Sequence, residues 1–202
     1  MEVRPLDPPV HGDALFRAMA GPENRDLWTY LKAGPFEDRA SFESYLKTQS
    51  ALEDPLCFAI VDRRSDAALG LASYMRIEPA HGVIEVGSIV FSRPLHRSTG
   101  ATEAMYLMAR HAFEELGHRR YEWKCNALNL ASRNAALRLG FRFEGIFRNH
   151  MVVKGRSRDT AWFSIVDSEW PARREAFERW LDPSNFDESG RQRISLSSLN
   201  RP

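Results

Sequence analysis

The sequence predicts an α+β domain with a mixed, mostly antiparallel sheet of about seven strands and helices on both faces. Three observations carry this. Strand-like runs at Leu56–Asp62, Leu69–Ile77 and Val83–Phe91 are joined by tight turns, as in an antiparallel meander. A helical stripe then links Val83–Phe91 to the alternating run Tyr121–Cys125, which places those two strands parallel. Finally, Phe141–Val153 and Arg158–Val166 flank Lys154-Gly155-Arg156 and read as a hairpin.

Taken in order, Val3–Leu6 is a short first strand, confined to an edge or its own start by Pro5. Asp13 is positioned to cap a helix carrying Leu15, Phe16, Met19 and Ala20 on one side. An aromatic segment, Leu27-Trp28-Thr29-Tyr30-Leu31, ends at Gly34-Pro35, and a second helix runs from about Glu37 to Gln49. After the meander, Ala101, Met105, Met108, Ala112, Phe113 and Leu116 follow helical spacing, with Gly117 as the C-terminal cap. Asn129 caps the next helix, which stops at Gly140, and a last helix spans Glu169–Leu181.

The 202 residues, 43% of them hydrophobic, suffice for one domain over residues 1–182. Residues 183–202 are polar and read as a flexible tail. Lys plus Arg total 28 against 27 Asp plus Glu, so no global field favours nucleic acid or an anionic membrane as partner. No signal-peptide pattern or membrane-length apolar run is present, and a cytoplasmic setting is expected. Cys57 and Cys125 lie in strand-like runs without metal or redox spacing and read as buried thiols; the scattered histidines form no ligand set, so no metal is expected.

The stretch from Gly82 to Gly100 carries the chemistry. A strand runs through a basic, small-residue turn into a helix, and free N–H groups at a helix N-terminus suit a phosphate or pyrophosphate. His96-Arg97-Ser98-Thr99-Gly100-Ala101, followed by Thr102-Glu103-Ala104, resembles the pyrophosphate turn Q/R-x-x-G-x-G/A of the GNAT superfamily of N-acetyltransferases. The continuation resembles the RimJ/RimL-type branch, which acetylates ribosomal-protein N-termini. Asn129-Leu130-Ala131-Ser132, running on to Leu139-Gly140-Phe141, is similar to a second signature of that family. Two positions depart from the pattern: His96 stands for Gln/Arg, and Thr99 stands for a glycine that would permit a positive φ. The loop then either takes another backbone route or binds cofactor more weakly, with Arg97, Ser98 and Thr99 compensating.

The resemblance implies acetyl-CoA as co-substrate. Arg97, Ser98, Thr99, Gly100, Ala101 and Thr102 would hold its pyrophosphate, the backbone of Ile89, Val90 and Phe91 its pantetheine amides, and Asn129 and Ser132 the same arm. It also implies that Trp28, Tyr30 and Phe36 wall an acceptor pocket, although aromatics so placed are more often core. Glu85 is the candidate base. By strand parity it shares a face with Val83, Ile89 and Phe91, in a partly apolar environment, unless it is a structural or solvent-facing glutamate at a strand start or one paired to a nearby basic residue.

The expected reaction is direct attack of an amine on the thioester. Deprotonating a lysine-type amine at pH 7 costs about 4–5 kcal/mol, whereas an α-amine costs about 1, so an α-amine needs only a modest base. Ser132, Tyr121 and His150 are candidate acids by type alone. The acceptor is a protein N-terminus or a small primary amine, and a homodimer is one assembly open to the chain. The alternative function is a non-catalytic acetyl-CoA-binding, sensing or partner-binding module.

Overall fold

A computed structural model describes residues 1–200. Seven strands form a single sheet in the order β1-β2-β3-β4-β5-β7-β6. They are β1 (Glu2–Pro5), β2 (Leu56–Val61), β3 (Ala68–Glu78), β4 (Val83–Phe91), β5 (Arg120–Asn126), β6 (Arg142–Val153) and β7 (Arg156–Val166). Every neighbouring pair is antiparallel except β4 and β5, which are joined through a helix and run parallel.

The helices are α1 (Pro8–Met19), α2 (Arg39–Ser50), α3 (Thr99–Arg110), α4 (Leu130–Arg138), α5 (Trp170–Leu181) and the single turn α6 (Leu196–Leu199). Helix α1 begins five residues before the expected cap. Pro8 and Pro9 occupy its first turn, where the missing N–H costs nothing, and Asp13 instead pairs with Arg39 of α2. Helix α3 passes into a π-type turn over His111–Glu115, and Gly117, at φ +69°, closes it as the cap reading requires.

Two cores flank the sheet. On one face Ile84, Val86, Tyr121, Trp123, Phe163 and Ile165 pack with residues of α3 and α5. On the other, Cys57, Ala59, Val61, Leu71 and Val90 pack with α1 and α2. On that second face, in register across β4, β5 and β7, stand Glu85, Glu122 and Ser164, with Lys124 opposite Trp162. A polar strip thus continues the apolar one.

The segment after Pro183, expected as a flexible tail, is folded against the domain through Asn200. Leu196 is fully buried, Asn185 Nδ2 donates to the Trp180 and Ile194 carbonyls, and Arg173 donates to the Asn200 carbonyl at 2.7 Å. Its scattered apolar residues gave no periodic signal, yet Leu196, with Phe186 and Leu199 packed against the same core, and a few side-chain amides seat it. No helix among the described residues is long and apolar enough to cross a membrane.

Candidate active site

Strands β4 and β5 part company at the centre of the sheet. Their ladder covers Val83–Val86 against Arg120–Trp123 and then stops, while β5 stays on β7 as far as Asn126. The cause is a bulge in β4, where Ser88 sits at φ +49° and the register against β3 shifts. From Gly87 to Phe91 the edge of β4 facing β5 therefore has no strand partner among the described residues, and a splayed gap opens there. Gly87 permits this geometry, since a Cβ at that position would lie 2.6 Å from Met75 Sδ.

The bulge also exchanges the faces of β4. Glu85 does not share a face with Ile89 and Phe91, as unbroken alternation predicts. Ile89 and Phe91 pack on the α3/α5 side, and Val90 takes the side on which Glu85 stands.

Nor is the surrounding of Glu85 apolar. Its carboxylate, 3% exposed, accepts from Arg76 Nε at 2.7 Å and lies 3.1 Å from Lys124 Nζ. Lys124 is equally buried; it reaches Glu122 Oε2 at 2.6 Å and lies 3.6 Å from the centroid of the Trp162 ring. Arg120 joins Glu122 to Glu144, and Ser164 donates to Glu144. Burial pushes the Glu122 carboxyl up, but the hydrogen bonds from Lys124 and Arg120 outweigh it and hold the group below the usual range. Glu144 is lowered chiefly by Arg120. These partners were missed in the sequence. The alternation Glu122/Lys124 on a strand parallel to β4 was a usable signal; Arg76 gave none, because only its positive φ brings it to this face.

At the helix end of the gap, the left-handed residue is Arg97, at φ +57°, and Thr99 is already the first residue of α3. The absent glycine therefore leaves no strain at Thr99: the loop takes its positive φ two residues earlier. Ser98 is the N-cap, accepting from the Ala101 N–H at 3.1 Å and donating to the Leu95 carbonyl, so its proton and one lone pair are already engaged. The N–H groups of Thr99 and Gly100 have no intrahelical acceptor, and Arg97 has no ion pair among the described residues. These three fit an anion.

Thr102 does not join them. It is buried, and its hydroxyl accepts from Arg138 Nη1 at 3.0 Å. Neighbouring Glu103 accepts from the Met1 ammonium at 2.6 Å, and Met1 packs on Gly100. The Thr102-Glu103 pair thus has a structural duty here.

Across the gap, Asn129 caps α4 by accepting from Ser132 N–H at 3.0 Å, and Ser132 Oγ accepts from the Trp123 indole. The Asn129 amide N–H₂ has no partner among the described residues and borders the end of β5.

Of the three aromatics assigned to the acceptor, Trp28 is core. It is 1% exposed, donates to the Met19 carbonyl and packs edge-on against Phe36, Phe42 and Tyr45. Phe36 belongs to the same cluster. Tyr30 is more exposed, and its hydroxyl donates to the Leu128 carbonyl before α4. With Lys154 donating to the Trp28 carbonyl, the loop over residues 22–36 spans from the α1/α2 side to the β5–β7 side.

Among the candidate acids, Tyr121 is fully buried on the α3/α5 face, and burial raises its phenol well above its usual range. His150 is exposed and bonds Thr160 Oγ1 at 3.0 Å. The Cys125 thiol is raised by burial, and Cys57 is pushed up to about 11, which fits buried thiols.

Residues 1–142 match a family described as acetyltransferase (GNAT) domain. The chain is 49% identical to a GCN5-related N-acetyltransferase from Brucella melitensis, with a TM-score of 0.95 over 98% of this chain and 90% of that one. It is 47% identical to a probable GNAT-family acetyltransferase from Chromobacterium violaceum, with a TM-score of 0.78 over 84% of each chain. An uncharacterized N-acetyltransferase, p20, from Bacillus licheniformis is 25% identical over 162 residues, spanning 78% of this chain and 88% of that protein.

Proposed function

Since the chain belongs to the GNAT acetyltransferase family, we propose that it moves an acetyl group from acetyl-CoA to a primary amine by direct attack at the β4–β5 gap. The observation that carries this reading is the continuity of three features. Free N–H groups of Thr99 and Gly100 beside Arg97 lead to the unpaired edge of Ile89–Phe91, and that edge leads to the buried Glu85 carboxylate. The first would hold a pyrophosphate, the second pantetheine amides and the thioester oxygen, and the third would meet the amine.

Glu85 takes the proton of the incoming ammonium. The freed lone pair forms the N–C bond, the C–S bond breaks, and the departing thiolate takes the second proton that the nitrogen sheds as it becomes an amide. CoA thiol, with an acidity near that of cysteine at about 8.5, needs no strong acid. Arg76 and Lys124 fix the carboxylate in position, and an α-amine, which costs only about 1 kcal/mol to deprotonate at pH 7, asks less of a base than a lysine-type amine. A protein N-terminus, as the Ala101-Thr102-Glu103-Ala104 run of the RimJ/RimL-type branch would suggest, and a small α-amine both meet that requirement.

The clamped carboxylate also favours one rival, a module that binds acetyl-CoA without transferring its acetyl group. Calorimetry with acetyl-CoA, followed by a CoA-release assay over peptides and small amines, separates the two. Binding with turnover supports the enzyme; tight binding without turnover on any amine favours the rival; no binding removes both.

A further inference from the structure

Glu85 is answered by two cations, whereas a third cation on the same face has no partner among the described residues. Arg158 stands on β7, which pairs with β5 in unbroken register, so Arg158, Thr160, Trp162 and Ser164 share the face that carries Lys124, Glu122 and Glu85. Arg158 makes no ion pair and no side-chain hydrogen bond among the described residues, and its Nε is buried without a partner. The Trp162 indole N–H is also buried and unpartnered. Along the strand Trp162 lies between Arg158 and the row of Glu85.

A buried guanidinium donor left unmade is costly, and so is a buried indole N–H. Burial lowers the pKa of Arg158 by more than the nearby Cys125 and Glu85 raise it, and Arg76 lowers it further, so its desolvation is only partly offset. Of the carboxylates on this face, Glu85 is already bonded to Arg76 and Lys124, and Glu122 to Lys124 and Arg120. His150 bonds Thr160 and brings no negative charge. The site around Glu85 therefore has a surplus of positive charge. An acceptor that is only cationic, such as a polyamine, would meet repulsion from Arg76, Lys124 and Arg158.

We infer that the acceptor carries a carboxylate a few bonds from its amine, with the carboxylate on Arg158, an oxygen reaching the Trp162 indole N–H, and the ammonium turned toward Glu85. A guanidinium matches a carboxylate in geometry and charge, and Glu85 offers the ammonium the opposite charge. This names the substrate class of the proposed acetyl transfer and rests on that reading.

The test is a CoA-release assay comparing amino acids with their carboxamides, dipeptides with N-terminal Asp or Glu, and spermidine. The best carboxylate acceptor is expected to exceed its carboxamide at least tenfold in kcat/KM. Arg158→Gln should bring that ratio close to one through KM, Arg158→Lys should retain part of it, and Trp162→Phe should lower it less. Preference for free amino acids or for acidic dipeptides tells which molecule supplies the carboxylate. Equal use of acid and amide, a preference for spermidine, a ratio that survives Arg158→Gln, or no acetylation at all would overturn the inference. Acetyl-CoA affinity, measured by calorimetry on wild type and on each variant, reports folding and bears on the acetyl-transfer reading alone. Carboxamide turnover equal to that of the acid, with intact affinity, would sink the carboxylate and leave acetyl transfer standing.

Discussion

Arg76 donates from Nε to Glu85 Oε2 at 2.7 Å from a left-handed backbone, φ +45°, at an irregularity where the β3–β4 register shifts. Alternation alone would send Arg76 to the face opposite Met75, which pairs with Glu85. The Asp54 carboxylate holds the irregularity in place, accepting the Arg76 N–H at 2.9 Å and the Ile77 N–H at 3.1 Å. One exposed aspartate thus sets the aim of a side chain that meets the proposed base.

Asp54→Ala should therefore act at a distance. Two amide hydrogen bonds are lost to water, at about 1–2 kcal/mol in all, or a few degrees in Tm. With Arg76 released, kcat is expected to fall severalfold while acetyl-CoA affinity holds. Kinetics and calorimetry on the same sample check it, and an unchanged kcat would show that the aim of Arg76 is irrelevant to turnover.

Thr99→Gly should not tighten acetyl-CoA, because Thr99 already lies in α3 and the positive φ belongs to Arg97. Affinity within about twofold of wild type is expected. Arg97→Ala should weaken binding by about tenfold, as the loss of a charge-assisted contact implies, and flatten its salt dependence. Titrations at two ionic strengths measure both.

Thr102→Val separates structure from cofactor binding. The Arg138 guanidinium is held by the Thr102 hydroxyl at 3.0 Å and lies over Trp180, and burial already lowers its pKa. Removing the acceptor should cost about 1–3 kcal/mol and several degrees of Tm, with acetyl-CoA affinity unchanged in the folded protein. A loss of affinity with no loss of stability would return Thr102 to the cofactor site.

Acid should weaken the fold through His11. Its ring is 4% exposed, Nδ1 accepts from the Asp7 N–H at 3.1 Å, and burial lowers its pKa. The unfolded chain then takes up the proton first, near pH 6.5, so this contribution is present above that pH. It is lost as pH falls through the lower folded value. Urea denaturation at intervals between pH 7 and 5 should show stability declining with acid, and His11→Gln should make that decline shallower. Parallel slopes would clear His11.

Much of the molecule was legible in one dimension. The strand runs, the β4–α3–β5 unit and the Asn129 cap announce themselves through period and capping chemistry, which depend on residues near in sequence. The anion-fit turn was visible for the same reason. Its inner division of labour was not: Ser98 and Thr102 are polar, as a cofactor loop requires, yet a helix cap and a half-buried arginine engage their hydroxyls.

The sequence alone determined that this chain builds a mixed sheet with an N–H-lined helix start beside a strand carrying Glu85, because local pattern and local hydrogen bonding dictate those features. Only the tertiary structure decided what surrounds that carboxylate. A bulge at Ser88 exchanged the faces of β4, a left-handed Arg76 was turned inward, and the parallel register brought Lys124 alongside. Each change arises where backbone geometry breaks the period or where distant strands align, and neither is written in the identity of any neighbouring residue.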